Sequence, residues 1–161
     1  MNKKTLAFLV FILVMALGSG LAFANHSGME KPIMAHNSAM MSADQVLKMA
    51  PENGFYRFSL EDLKMKVYSQ ADDFMIVDVR PMQAFKAERI AGSINIPLPT
   101  VVDNLKMLDM NKQIYVVCAV DSNSSYATFT LRMYGYKAFM IPGGEVAWKQ
   151  AGYPVVYSMV I

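Results

Sequence analysis

Phe74-Met75-Ile76-Val77-Asp78-Val79-Arg80-Pro81 is a short, nearly continuous apolar run that closes on charged residues and a proline. A strand buried on both faces of a parallel sheet reads this way, because neither face needs residues that suit water. Pro81 suits the first turn of a helix, where its missing N–H costs nothing, and Phe85 is placed to face inward from that helix. Ile94-Asn95-Ile96, ended by Pro97 and Pro99, is a second short strand. Ile114 to Cys118 and Ala138 to Ile141 are further apolar runs of the same kind. Helical patterns lie between these runs. Ser59 with Asp62 three residues later marks a helix start, and Leu60, Leu63 and Val67 follow on one face. Val101 to Leu108 reads as another helix. Ser124 to Met133 puts Tyr126, Phe129, Thr130 and Met133 on one amphipathic face, with Gly135 placed to end the helix in a left-handed conformation. Pro142-Gly143-Gly144 is a turn, Glu145 to Ala151 a final helix, and Gly152-Tyr153-Pro154 closes the domain. Strands alternating with helices predict an α/β fold: one domain with about five parallel strands and helices on both faces.

Upstream of that pattern the chain changes character. The hydrophobic fraction of the 161 residues is 54%, and much of it sits at the front. A basic start at Met1 to Lys4, an apolar run from Leu6 to Leu17 and the small-residue pattern Ala22-Phe23-Ala24 follow the order of a secretory signal peptide. Residues 1–24 are therefore expected to be cleaved, giving a periplasmic or secreted protein with no membrane association. The alternative is an uncleaved anchor, since Thr5 to Ala24 carries no charge. Residues 25–55 read as a Met- and His-containing leader, with a short helix from Ser42 to Met49 that offers Val46, Leu47 and Met49 for packing. His26, Met29, Met34, His36, Met40 and Met41 are a ligand set suited to Cu(I), although their spacing is irregular and Met is frequent throughout. A flexible leader explains them as well, and no metal site is assigned. Of 15 basic and 13 acidic residues, Lys3 and Lys4 fall in the signal, leaving 13 of each and a net charge near zero. That balance excludes the basic footprint of a nucleic-acid binder.

Cys118 is the only cysteine. A lone cysteine in an exported protein is either a reactive thiol or a small buried hydrophobe. Position favours chemistry. Cys118 ends a buried strand and opens the polar loop Ala119-Val120-Asp121-Ser122-Asn123, which runs into a helix. Ligands of open parallel sheets bind outside the carboxyl ends of the strands, and a helix start supplies N–H donors to an anion.

These segments resemble the rhodanese family. Ile76-Val77-Asp78-Val79-Arg80-Pro81, Phe85 and Arg89-Ile90-Ala91-Gly92-Ser93-Ile94-Asn95-Ile96-Pro97 are similar to its first sequence block. Ile114 to Cys118 is similar to its active-site strand. Tyr134-Gly135-Tyr136, Pro142-Gly143-Gly144, Ala147-Trp148 and Gly152-Tyr153-Pro154 resemble its C-terminal pattern. The match places a rhodanese-like domain at 56–157. It implies a sulfurtransferase in which Cys118 takes sulfane sulfur from a small donor anion, holds it as a persulfide and passes it to a thiol or another thiophile. The implied substrate-binding residues are Ala119, Val120, Asp121, Ser122 and Asn123. Asp78 and Arg80 give structural support, Trp148 anchors the last helix, and no cofactor is needed.

The loop departs from the family at two positions. Asp121 stands where active members commonly carry glycine and Asn123 where they carry arginine. Losing the arginine removes a bidentate anion clamp, and an inward Asp121 opposes a thiolate or a dianionic donor. Two such changes of about 1–2 kcal/mol each slow turnover by roughly one to three orders of magnitude. The departures keep a second reading open, a non-catalytic rhodanese-like binding module. Arg89, in place of the usual histidine, is either a source of positive potential or a solvated charge. Ser122, Ser124 and Ser125 are expected to cap the helix. A phosphatase reading fails, because neither Asn123 nor Ser124 supplies the arginine that it requires.

Overall fold

The computed structural model describes residues 40–157, and the expected signal and residues 25–39 of the expected leader, with His26, Met29, Met34 and His36, lie outside them. Four parallel strands form the main sheet: β1 (Phe74–Asp78), β3 (Ser93–Asn95), β4 (Gln113–Val117) and β5 (Lys137–Met140), in the order β3-β1-β4-β5. The place of a fifth strand is held only by a parallel bridge between Arg57 and Met140, so the expected five strands are four and a fragment. A separate antiparallel pair joins β2 (Arg89–Ile90) to β6 (Val155–Val156).

Alternation along the strands sends side chains into two cores. Val77, Ile114 and Val116 point to one side, packing with Ala127 and Leu131 of helix α4 (Ser122–Met133). Ile76, Tyr115 and Val117 point to the other, against Leu63 of α2 (Leu60–Ser69) and Trp148 of α5 (Gly144–Gln150). Trp148 is fully buried, with its indole N–H donating to the Pro154 carbonyl at 2.9 Å, so it is the packing anchor expected of it. Helix α3 (Met82–Ala87) begins one residue after Pro81, and Phe85 on it is half-buried with the Arg89 guanidinium 5.0 Å over its ring.

Local signals explain most helix boundaries. The Ser59 hydroxyl accepts from the Asp62 N–H, as expected, and starts α2. Gly135, at φ 83°, ends α4, with its N–H on the Arg132 carbonyl and the Tyr136 N–H on the Leu131 carbonyl. Those two bonds form the Schellman motif, which a residue with a Cβ enters only with strain.

Several expectations are corrected. The helix expected over 101–108 is a 3₁₀ segment, Val102–Met107, kinked at Asn104 (φ −112°, ψ 16°). The face of α4 that meets the sheet is the small stripe of Ser124, Ala127, Thr128 and Leu131, while Tyr126 is exposed. Small side chains let the helix approach the strands, whereas Phe129 and Met133 turn to a second partner.

That partner is the end of the expected leader. Ser42 caps α1 (Ala43–Met49) in a reciprocal capping box with Gln45. Val46, Ala50 and Tyr56 form a third apolar cluster, which Met41, Phe129 and Met133 join. Leu47 and Met49, also expected to pack, are exposed. The Tyr56 hydroxyl donates to the buried Val46 carbonyl at 2.7 Å, and the Met41 N–H donates to the Met133 carbonyl. The chain from Met41 onward is thus built into the domain.

Tyr56→Ala should therefore destabilise the protein by about 3–5 kcal/mol in urea unfolding, as for other buried aromatic truncations. No change would mean that this segment is not part of the cooperative unit.

Candidate functional site

The pleat of β4 puts Cys118 on the side of Ile114 and Val116, facing the start of α4. Cys118 is only 3% exposed. Its thiol donates to the Ser124 hydroxyl oxygen at 3.4 Å. That hydroxyl donates in turn to the Asp121 carbonyl at 2.9 Å, and Ser125 makes the same bond at 2.9 Å. The serines therefore hold a carbonyl and do not cap the helix N–H groups as expected. Asp121, the N-cap residue of α4, makes no side-chain cap either. Among the described residues, no protein acceptor takes the backbone N–H groups of 119–124. The loop that follows the cysteine and the helix it opens thus keep donors that suit an anion.

The loop is braced from beneath by the start of α5. The Glu145 N–H donates to the Cys118 carbonyl at 2.9 Å, and the Val146 N–H to the Ala119 carbonyl at 3.1 Å. Gly144, at φ 52°, has no room for a side chain: a Cβ there would run into the Cys118 carbonyl oxygen and lie 2.6 Å from that of Val120. Asp121 adds a second tie. Its carboxylate accepts from the Gly143 N–H at 2.8 Å, so it is spent on a neighbouring turn.

Asp78 and Arg80 lie at the end of the adjoining strand, and both are buried. The Arg80 Nε donates to both Asp78 oxygens at 3.1 and 3.0 Å, and its Nη2 to Oδ2 at 2.6 Å. Burial works against the Arg80 charge, but the bonds and charge of Asp78 outweigh it and raise the guanidinium above its usual value. The resemblance implied structural support from both, and the structure places them together as one buried ion pair. Arg89 is half-buried in β2, paired with Val156.

One residue of the site escaped sequence reasoning. Glu145 is 1% exposed, and its Oε1 stands 3.4 Å from Arg80 Nη2. Neither of its oxygens has a hydrogen-bond partner. Burial pushes its carboxyl up to about 7; Arg80 pulls the other way, and Asp78 and Glu88 push it further up. An acidic residue in the first turn of a helix ordinarily faces solvent, so its sequence position gave no sign of burial. Ser124 was legible as a polar residue near the cysteine, but its contact with Sγ depends on which face of α4 meets the sheet. Ala119, Val120, Asp121, Ser122 and Asn123 are all exposed around the buried thiol.

A buried thiol stands at the carboxyl end of a central parallel strand, under a loop that opens a helix, in an α/β protein. The family model of the rhodanese-like domain matches residues 59–151, and the chain belongs to that family. It is 30% identical over 76 residues to thiosulfate sulfurtransferase GlpE of Pseudomonas syringae, covering 47% of this chain and 72% of the relative. It is 32% identical over 114 residues to adenylyltransferase and sulfurtransferase UBA4 of Lodderomyces elongisporus, covering 64% of this chain and 25% of the relative. Across the first curated relatives it matches, the chain spans from a quarter to about half of their length. Among solved structures, the rhodanese-related protein of Thermoplasma volcanium superposes with a TM-score of 0.57 at 30% identity, over 62% of this chain and 96% of that one.

Two outcomes follow from this geometry. Gly144→Ala should destabilise the protein by at least about 1–2 kcal/mol, the cost of a left-handed residue with a Cβ, and displace the loop. Unaltered thermal unfolding together with an unaltered Cys118 alkylation rate would contradict the tight fit. Glu145→Gln tests the buried carboxyl. Well below 4.5 it is neutral folded or unfolded; as pH rises from 4.5 to about 7 only the unfolded state ionises, so stability is lost across that window and levels off above it. At roughly 1.4 kcal/mol per unit, the variant should gain about 3 kcal/mol relative to wild type between pH 4 and pH 8 in urea titrations. An equal difference at both pH values would refute it.

Proposed function

We propose that the protein transfers sulfane sulfur through a persulfide on Cys118. The observation that carries the reading is Cys118 itself, buried at the end of β4 beside N–H groups that no protein acceptor takes. Family membership supports it, as do relatives named as sulfurtransferases. In the first step the Cys118 thiolate attacks the outer sulfur of a donor such as thiosulfate. An S–S bond forms at Sγ, the donor's own S–S bond breaks, and sulfite leaves with the electron pair. In the second step an acceptor thiolate attacks the outer sulfur of the persulfide, and Cys118 leaves as thiolate. The residues 119–124 supply N–H donors to the negative sulfur in both states. Ser124 keeps a rotatable hydroxyl beside Sγ, able to accept from the thiol or donate to the anion. The order of residues 1–24 supports work in an exported compartment.

A second reading, a binding module without turnover, is favoured by the loop composition: Asp121 and Asn123 leave residues 119–123 with no cation. One measurement separates the two. After incubation with thiosulfate or polysulfide, intact-mass spectrometry should show an adduct of about +32 Da, one sulfur, that is absent from Cys118→Ser. Absence of the adduct with every donor would leave the binding module.

A further inference from the structure

The Arg80 Nη2 is shared more widely than its two hydrogens allow. Its Nη2 carries two hydrogens, one donated to Asp78 Oδ2 at 2.6 Å and the other to the Glu88 carbonyl at 2.7 Å. None remains for Glu145, which explains why that carboxyl sits at 3.4 Å from Nη2 with both oxygens unpartnered. Glu145 also touches the site directly through its backbone, because its N–H holds the Cys118 carbonyl. The charged groups around it come from three elements. Asp78 and Arg80 project from the end of β1, Glu88 from the turn after α3, and Lys149 from its own helix, where Lys149 is ion-paired with Glu88. With Glu145 protonated, the buried Asp78–Arg80–Glu145 group is neutral. When it releases its proton to water, the group carries one net negative charge beneath the cysteine loop.

We propose that Glu145 is a positioning residue whose protonated form keeps the floor of the Cys118 site neutral, so that anionic sulfur is tolerated above it. The proposal rests on the reading of Cys118 as the nucleophile. Negative charge on Sγ and negative charge on Glu145 compete, and each makes the other less favourable. Because burial pushes the carboxyl up to about 7, the competition falls in the neutral pH range.

The test is the pH dependence of Cys118 alkylation by iodoacetamide, an uncharged reagent, followed by intact mass on the full chain with its single cysteine. The rate ratio of Glu145→Gln to wild type should rise from about one at pH 5.5 to about three- to tenfold at pH 8, the Coulombic effect of one added buried charge near the loop. A merely structural role for Glu145 shifts the ratio equally at all pH values, and a flat ratio would overturn the proposal. If Glu145→Gln does not fold, Glu145→Met repeats the comparison with an uncharged side chain of similar length. If neither folds, the wild-type profile decides: two ionisations between pH 5 and 10 support the proposal, and a single one overturns it. Alkylation needs no sulfur transfer, so failure of the persulfide experiment with a pH-dependent ratio would reject the catalytic reading alone.

Discussion

The doubly bonded pair of Asp78 and Arg80 holds the carboxyl end of the sheet together. Two charges removed from water are tolerable only when they are well paired, and here the Asp78 carboxylate accepts from the Arg80 backbone N–H, Nε and Nη2. The same pair organises its neighbours. The Arg80 Nη2 reaches the Glu88 carbonyl beyond α3, and the Asn95 amide donates to the carbonyls of both Asp78 and Arg80 at 2.8 and 2.9 Å. The ends of β1 and β3 and the turn after α3 are thereby fixed to one another. Glu145 brings the start of α5 against the same guanidinium. Removing either charge of the pair would strand the other, a loss of about 3–5 kcal/mol in comparable buried pairs.

That anchoring explains why a loop of exposed residues can hold a buried thiol in place. Cys118 and Ala119 are tied through their carbonyls to Glu145 and Val146, and Asp121 is tied through its carboxylate to Gly143. Every one of these ties is accepted by the loop from the turn and first residues of α5. The loop thus spends carbonyls and a carboxylate on its own support and leaves its N–H groups open. A ligand that suits such a surface accepts hydrogen bonds, and anionic sulfur is of that kind.

Much of this was legible in the sequence, for identifiable reasons. The runs at β1, β4 and β5 are apolar because both faces of those strands are covered, and Gly135 and Ser59 stand where backbone geometry demands them. The Cys118 loop was legible because it follows such a strand. What failed was everything decided by which surface meets which. Four apolar or amphipathic residues of α4 form a helical stripe, yet the sheet takes the smaller stripe beside it, since close approach counts for more than side-chain size. The leader, poor in periodicity, hides Val46 and Ala50, whose burial depends on Tyr56 just beyond it and on Phe129 and Met133 far along the chain. Glu145 is the sharpest case: one step in sequence from an ordinary helix-start acid, it is enclosed because Gly144 brings the helix against the loop.

Asp121 shows how a departure from a family pattern can change meaning once its partner is known. Read from sequence, a carboxylate three residues after the cysteine is a charge set against the anionic chemistry. In the structure its Oδ1 takes the Gly143 N–H, an unclaimed donor at a turn with φ 74°. A glycine at 121 would leave that N–H unpaired and free the loop at the point where it enters α4. The side chain therefore exchanges loop flexibility for a fixed link between the cysteine loop and the Gly143-Gly144 turn. Its electrostatic effect on Sγ is reduced by that bond, which draws the negative charge toward the turn. Among the described residues the buried acid beneath the loop whose oxygens have no hydrogen-bond partner is Glu145, so the charge problem of this site is set from below the cysteine and not from beside it.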